Sequence, residues 1–203
     1  MILESSIISR RLYSAVIYET DFTNKHTIHS LLYVNSIIKE KKGELFMKPI
    51  VIGCDNAAVE LKNQIIALLI KKEIPYEDVG VNSTADEEMY PAVAGKVAHK
   101  IIESDYKKEG ILVCGTGIGM AIAANKYPGI YAAVCHDIFS AERARLSNDT
   151  NVLTMGARVL APQLALKLVE TWLDLEFVPG NSTPKVEKIK DIEKENFKLI
   201  SYR

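Results

Sequence analysis

Five short apolar runs, rich in β-branched and aliphatic residues, follow one another from residue 50 onward and are separated by segments with helical periodicity. A short continuous apolar run bounded by turn residues is typical of a strand that is buried on both faces. The runs predict strands over Ile50–Gly53, Tyr76–Val79, Ile111–Val113, Ile130–Cys135 and Val152–Gly156.

The segments between these runs repeat their hydrophobic residues every three or four positions, as amphipathic helices do. Strands that alternate with helices predict an α/β fold, a doubly wound (Rossmann-like) sheet of five parallel strands with helices on both faces. The last helix is rich in lysine and glutamate and is too polar for a core position. Helices are predicted from Leu61 to Lys71-Lys72, from Tyr90 to Ile101, and over Met120–Asn125, Phe139–Leu146, Leu164–Leu173 and Pro184–Phe197.

Residues 1–46 differ from the rest, because they lack this alternation and contain no glycine before Gly43. We interpret 1–46 as an N-terminal extension and 47–203 as the folded domain. The sequence Lys41–Glu44 is what a ribosome-binding site yields when it is translated in frame, so Met47 is a candidate for the true start. The alternative is a genuine amphipathic extension. The segment does not fit a signal peptide, because no small-residue cleavage site follows an apolar core.

Composition describes an ordinary globular protein of 203 residues with 48% hydrophobic residues and a formal net charge of -1. Such a balance gives no bias toward nucleic acid or acidic membranes as partners. None of the apolar runs approaches the roughly 20 residues of a membrane span. Three cysteines without metal-type spacing indicate a reducing compartment, so we expect a cytoplasmic protein with no bound metal.

The candidate chemistry centres on a cysteine that follows the third apolar run. Cys114 is expected at the carboxyl end of that strand, where Gly115, Gly117 and Gly119 form a turn that opens a helix. Backbone amides that converge in such a turn bind anions. They also favour the thiolate form of a cysteine placed among them.

Other interpretations of the same stretch remain open. A glycine-rich turn between strand and helix is also the dinucleotide fingerprint, and Asp137 stands roughly 20 residues further on, as that fingerprint requires. Met120, however, occupies the place of its third glycine. A second alternative is that Cys114 is only a buried core residue, which is what we expect for Cys54 and Cys135. A Walker-type phosphate loop is excluded, because no Gly-Lys-Ser/Thr follows.

Polar residues from separate positions are expected to meet at the edge of the sheet where the strands end. Ligands of such sheets bind outside the carboxyl ends of the strands. A thiolate base, amides that stabilise an enediolate oxygen, and carboxylates that hold hydroxyls suit proton transfer beside a carbonyl. His136 is either a structural residue bonded to backbone or the acid-base imidazole of the site. The other candidates at this edge are Asp55, Asn56, Tyr90, Thr116 and Asp137.

Six motifs follow one another along the chain: Gly53–Lys62, Tyr90-Pro91, Ile111–Lys126, Asn148–Leu153, Gly156–Arg158 and Thr171–Leu173. In this order they resemble ribose-5-phosphate isomerase B and the related galactose-6-phosphate isomerase subunits. The resemblance covers Met47 to about Asn196. It implies a metal-free and cofactor-free aldose–ketose isomerase of sugar phosphates, with a C-terminal helix that packs on a partner subunit. It also implies a homodimer or homotetramer whose sites straddle two subunits.

Residue roles follow from this resemblance. Cys114 is implied as the base that moves the proton between C1 and C2, Thr116 assists ring opening, and the turn from Gly115 to Gly119 stabilises the enediolate. The remaining residues are implied to bind substrate: Asp55, Asn56 and Tyr90 at the sugar, Asn148 also on the substrate, and Arg158 and Lys185 at the phosphate.

The chain departs from the family pattern at three places. Asn56 and Ser147 stand where relatives have histidine, and the second of those histidines is the proposed ring-opening acid. The segment Gly180–Lys185 lacks the arginines that bind phosphate, and Lys185 supplies only a point charge. His136 either replaces the lost acid, or the substrate is an open-chain tetrulose phosphate that needs none.

Two further functions stay open beside an isomerase of a ribose, tetrose or hexose phosphate. The chain is alternatively the cysteine-bearing subunit of a heteromeric galactose-6-phosphate-type isomerase, which would be inactive alone. It is otherwise a sugar-phosphate binding module without catalysis, although such a module has no use for Cys114.

Overall fold

The structure, a computed structural model, describes residues 47–199. The predictions for residues 1–46 lie outside the described residues. Five strands form one sheet in the order β2-β1-β3-β5-β4, and every paired strand is parallel. This confirms the predicted α/β fold. The strands are β1 (Ile50–Cys54), β2 (Tyr76–Asp78), β3 (Glu109–Cys114), β4 (Ala132–Val134) and β5 (Val152–Gly156).

Helices cover both faces of the sheet. Helices α2 and α3 pack together on one face, while α5 contacts both α1 and α4 on the other. In the part of the chain that the structure describes, no helix is both long and apolar enough to cross a membrane. The helices are α1 (Val59–Lys71), α2 (Tyr90–Glu103), α3 (Ile118–Ala124), α4 (Ile138–Asn148), α5 (Pro162–Leu173) and α6 (Thr183–Leu199), with a short 3-10 turn over Asn56–Ala58 before α1.

The central strand β3 is longer than its apolar run predicts. Glu109 and Gly110 pair with β1, and the Glu109 side chain is buried because Arg145 Nη2 donates to it at 2.6 Å. Strand β4 is shorter than the predicted Ile130–Cys135. The first two residues of the predicted strand, 130 and 131, lie outside β4 and follow a turn at Gly129, where φ is +71°.

Helix α6 packs on α4 of its own chain, with Val186 buried. Glu193 ties it to the segment before β4, because its carboxylate accepts from Tyr131 Oη and from the Gly129 amide, both at 2.9 Å. Burial raises the pKa of Tyr131, and this contact with Glu193 raises it further. Packing of α6 on a partner subunit remains a prediction.

Candidate active site

Cys114 ends β3 with its side chain buried, and one backbone amide points at its sulfur. The Gly117 amide donates to Cys114 Sγ at 3.0 Å. That amide is in place because Gly117 adopts a left-handed conformation with φ of +79°, and a methyl group there would lie 2.8 Å from the carbonyl carbon of Met155. Glycine alone tolerates both conditions without strain. The turn therefore directs a hydrogen-bond donor onto the sulfur of Cys114.

The same turn contains further hydrogen-bond donors. The amides of Gly115, Thr116 and Gly119 donate to no acceptor within residues 47–199. The Thr116 side chain is exposed, and its Oγ1 accepts from the Ile118 amide at 3.4 Å. Amides without acceptors, next to a thiol, are the arrangement that stabilises an oxyanion formed during proton transfer.

Tyr90 lies directly over the turn. It begins α2, and a methyl group on Gly119 would come within 2.5 Å of a ring carbon of Tyr90. The absence of a side chain at Gly119 therefore lets the aromatic ring approach the backbone. The structure thus brings Tyr90 to the Cys114 edge, as the sequence analysis expected.

Asp55 and Arg158 face each other beside the turn. Burial raises the pKa of Asp55, while the Ala57 amide and the charge of Arg158 lower it. The Asp55 side chain caps the 3-10 turn by accepting from the Ala57 amide at 3.1 Å. The Arg158 side chain runs along Gly115, and its amide donates to the Gly115 carbonyl at 3.1 Å. A cation and a carboxylate therefore flank the donors of the turn.

Asn56 and His136 both use one side-chain nitrogen for backbone contacts. Asn56 Nδ2 donates to the Asp86 carbonyl at 3.0 Å. His136 Nε2 accepts from the Gly156 amide at 3.1 Å, so a neutral imidazole carries its proton on Nδ1. His136 thus has the backbone bond of the structural alternative, while its acid role remains a prediction.

Two of the predicted substrate residues lie away from Cys114 in the chain. Asn148 ends α4 before β5 begins, whereas Cys114 pairs with the last residue of β5. Five strand residues span roughly 13 Å, so Asn148 lies near the opposite edge of the sheet. Helix α6, which carries Lys185, is fixed at that edge, because Lys190 Nζ lies 4.0 Å from Asp149 Oδ2. A single chain therefore does not bring these two residues to its own Cys114.

Asp137, the acidic residue of the dinucleotide alternative, is used in a helix cap. Its carboxylate accepts from the Ser140 amide at 2.7 Å and from Ser140 Oγ at 2.6 Å. These bonds lower the pKa of Asp137. The residue therefore serves the start of α4.

Thr154 also shapes the turn, although the sequence did not predict a role for it. Thr154 is fully buried in β5, and its Oγ1 donates to the Gly117 carbonyl at 3.0 Å. This bond holds the glycine whose amide reaches Cys114 Sγ. A hydroxyl in an otherwise apolar strand was the available signal, because a buried hydroxyl needs a partner.

We expect iodoacetamide to label Cys114 well before the other two thiols. Burial raises the pKa of Cys54 to about 12 and that of Cys135 to about 11, so both remain protonated near neutral pH. The sulfur of Cys114 instead accepts an amide hydrogen bond at the site's edge. Peptide mapping after timed alkylation measures the three rates. Equal labelling of all three would contradict this assignment.

No three His, Cys, Asp or Glu side chains are grouped as a metal site within the described range 47–199. The site thus consists of a thiol, free backbone amides, a hydroxyl, a carboxylate and a guanidinium at the carboxyl edge of a parallel sheet. This inventory suits the transfer of a proton at a carbon beside a carbonyl group.

Comparison with known proteins identifies the family. The model of the Ribose/Galactose Isomerase family matches residues 50–189. The chain is 49% identical over 147 residues to a "Ribose-5-P isomerase B" of Listeria innocua, covering 72% of this chain and 98% of that protein. It is 50% identical over 143 residues to a "D-erythrulose-4-phosphate isomerase" of Pectobacterium atrosepticum, covering 70% and 93%.

Solved structures agree. A ribose-5-phosphate isomerase B of Clostridium thermocellum matches with a TM-score of 0.69 and 40% identity, over 73% of this chain and 99% of that one. The enzyme of Mycoplasma genitalium, solved with bound ribulose-5-phosphate, matches with a TM-score of 0.69 and 34% identity, over 72% and 97%. The chain belongs to the ribose/galactose isomerase family and is an aldose–ketose isomerase of the ribose-5-phosphate isomerase B type, which confirms the resemblance.

Proposed function

We propose that this protein interconverts an aldose phosphate and a ketose phosphate without a metal, with Cys114 as the base. One observation carries the proposal. The Cys114 sulfur accepts the Gly117 amide at 3.0 Å in a turn where three other amides have no acceptor within 47–199. A base and an oxyanion site are therefore adjacent, as proton transfer beside a carbonyl requires.

The chemistry follows from these groups. The Cys114 thiolate removes the proton from C2 of the aldose, and the electron pair moves to the carbonyl oxygen to give an enediolate. The free amides of the turn stabilise that oxygen. The proton returns from sulfur to C1, and the hydroxyl proton passes from O2 to O1. Thr116 has an exposed hydroxyl at this place and is suited to carry that second proton.

We infer that the preferred substrate is a four-carbon sugar phosphate. An aldotetrose 4-phosphate has its O4 esterified and cannot close a furanose ring, so it needs no ring-opening acid. Ser147 replaces the histidine that the resemblance assigns to ring opening, and His136 Nε2 is already bound to a backbone amide. The erythrulose-4-phosphate isomerase of Pectobacterium is also among the similar proteins. Ribose 5-phosphate is the second candidate, because the Listeria relative is named for it.

We propose further that the complete site forms between two copies of the chain. Cys114, Asp55, Tyr90 and Arg158 come from one subunit. Asn148 and Lys185 of a second copy complete the site, since both belong to the part of the chain at the opposite edge of the sheet. The assembly is then a homodimer or homotetramer. The three cysteines are free, which is consistent with a cytoplasmic location.

A substrate panel tests the proposal. Purified protein, dialysed against EDTA, is assayed for aldose–ketose conversion of erythrose 4-phosphate, ribose 5-phosphate and galactose 6-phosphate. We expect turnover with the pure chain and the highest kcat/KM for erythrose 4-phosphate. Activity that needs a second, different chain would support the heteromeric alternative. Binding without turnover would support the binding module, and loss of activity that a divalent ion restores would contradict the metal-free site.

His136→Ala is expected to separate the substrates. On erythrose 4-phosphate the change should cost less than about threefold, because no ring has to open. On ribose 5-phosphate it should cost about tenfold or more, because ring opening needs an acid and the Nδ1 proton of His136 is the imidazole proton left for that step. The ratio of the two kcat/KM losses is the measurement. Equal small losses would show that His136 is only structural.

A further inference from the structure

Lys62 is a fully buried cation on α1, and the mechanism above does not use it. Its exposed fraction is 0%, which is rare for lysine unless the charge is paired. The ammonium donates to Asp78 Oδ2 at 2.8 Å, to the Val81 carbonyl at 2.8 Å and to Asn82 Oδ1 at 3.0 Å. All of these acceptors belong to one short segment, residues 78–82.

That segment lies against the end of β1, next to the substrate edge. The Val81 amide donates to the Cys54 carbonyl at 3.1 Å. Gly80 approaches so closely that a methyl group there would lie 2.4 Å from the Cys54 nitrogen. Asp55, the carboxylate of the candidate site, is the next residue after Cys54. The lysine therefore fixes the backbone that stands beside Asp55.

The chain then continues along the site. Residues 82–87 are exposed, and the Asp86 carbonyl accepts from Asn56 Nδ2 at 3.0 Å. Four residues later Tyr90 begins α2 and lies over Gly119. We name residues 78–89 the wall segment, since they connect Asp55 and Asn56 on one side with Tyr90 on the other. Lys62 fixes its start, and Asn56 fixes its middle.

We propose that Lys62 is a positioning residue for sugar binding, because it sets the wall segment through the Val81 carbonyl and Asn82. This inference rests on the proposed function and deepens it. Lys62 touches none of the residues assigned to proton transfer. Its loss should therefore weaken binding of the sugar hydroxyls and leave the chemical step intact, which appears as a raised KM with an unchanged kcat.

The test must separate positioning from stability. Lys62→Met alone leaves the Asp78 carboxylate without its cation, which destabilises a protein whatever the lysine does for binding. The double variant Lys62→Met with Asp78→Asn removes both charges, keeps an oxygen for the Gly80 amide that donates to Asp78 Oδ1 at 3.0 Å, and is expected to leave folding intact. Thermal unfolding checks that it does. Asn82→Ala removes one acceptor on the wall segment without any charge change.

We expect the double variant to raise KM for erythrose 4-phosphate about tenfold with kcat within about threefold of wild type. Asn82→Ala should raise KM about threefold. The matched control is Lys72→Met. In the wild-type protein the Lys72 ammonium pairs with Asp174 Oδ1 at 3.1 Å on a partly exposed surface. The KM of the Lys72→Met protein should not change.

Two results would overturn the role of Lys62: a folded double variant with the KM of wild type, or a loss in kcat at constant KM. Protection of Cys114 from iodoacetamide by erythrose 4-phosphate gives a second readout that does not depend on turnover. The concentration that halves alkylation should rise with KM in the same variants. A failure of the proposed function gives a different result. Cys114→Ala would then keep its activity, while the variants at Lys62 and Asn82 would still need more erythrose 4-phosphate to protect Cys114 from iodoacetamide.

Discussion

Cys114→Ala should lower kcat by at least about a hundredfold on every sugar phosphate that the wild-type protein converts, the lower range for loss of a general base. The reason is structural as well as chemical. In the structure Cys114 is the thiol that accepts the Gly117 amide, and the free amides of the turn surround it. Steady-state assays together with deuterium exchange at C2 of the substrate measure the loss, because exchange reports proton abstraction directly.

Cys135→Ala is the matched control for that experiment. Its thiol is buried, and burial raises its pKa to about 11, so it should contribute nothing to proton transfer. We expect kcat within about twofold of wild type and only the small stability loss of a truncated core side chain. Retention of more than a tenth of the activity in Cys114→Ala would reject the cysteine as the base.

Mixing two inactive variants should restore activity. Asn148→Ala should lower kcat/KM about a hundredfold, because a substrate that loses this contact is displaced from the base. Asn148 lies near the edge of the sheet opposite Cys114, so in the proposed dimer it serves the site of the other copy. A mixed dimer of Cys114→Ala and Asn148→Ala chains then contains one intact site. After subunit exchange, an equal mixture should reach about a quarter of wild-type activity.

The control for the mixing experiment is Asn63→Ala on α1, an exposed asparagine that is not among the candidate site residues. The Asn63→Ala protein should be fully active alone. Its mixture with Cys114→Ala should show only the activity that the Asn63→Ala chains contribute. If the inactive variants stay inactive after exchange, verified by mass spectrometry of mixed dimers, Asn148 does not act across the interface.

The hydrophobic pattern was sufficient to predict the sheet, because parallel strands buried on both faces leave continuous apolar runs. The element ends were less predictable. Glu109 belongs to β3 although it is charged, and its pairing with the buried Arg145 and with Lys48 explains that burial. The buried partner, Arg145, lies 36 positions away in sequence. Local patterns contain no information about it.

The sequence predicted those parts of the candidate site that are placed by the carboxyl ends of the strands. Residues that directly follow strands, such as Asp55 and the turn after Cys114, meet there by topology. What each side chain does with its polar atoms could not be predicted. Asn56 is bound to the Asp86 carbonyl and His136 to the Gly156 amide, and both contacts depend on tertiary positions rather than on spacing.

The separation of Asn148 from Cys114 along β5 has a consequence for how the protein responds to its own concentration. If each chain contains two incomplete halves at opposite ends, an isolated chain has no working centre. Specific activity would then fall on dilution below the dissociation constant of the dimer, and the initial rate would grow with the square of the protein concentration in that regime. Assays at very low enzyme concentration would therefore report assembly rather than chemistry.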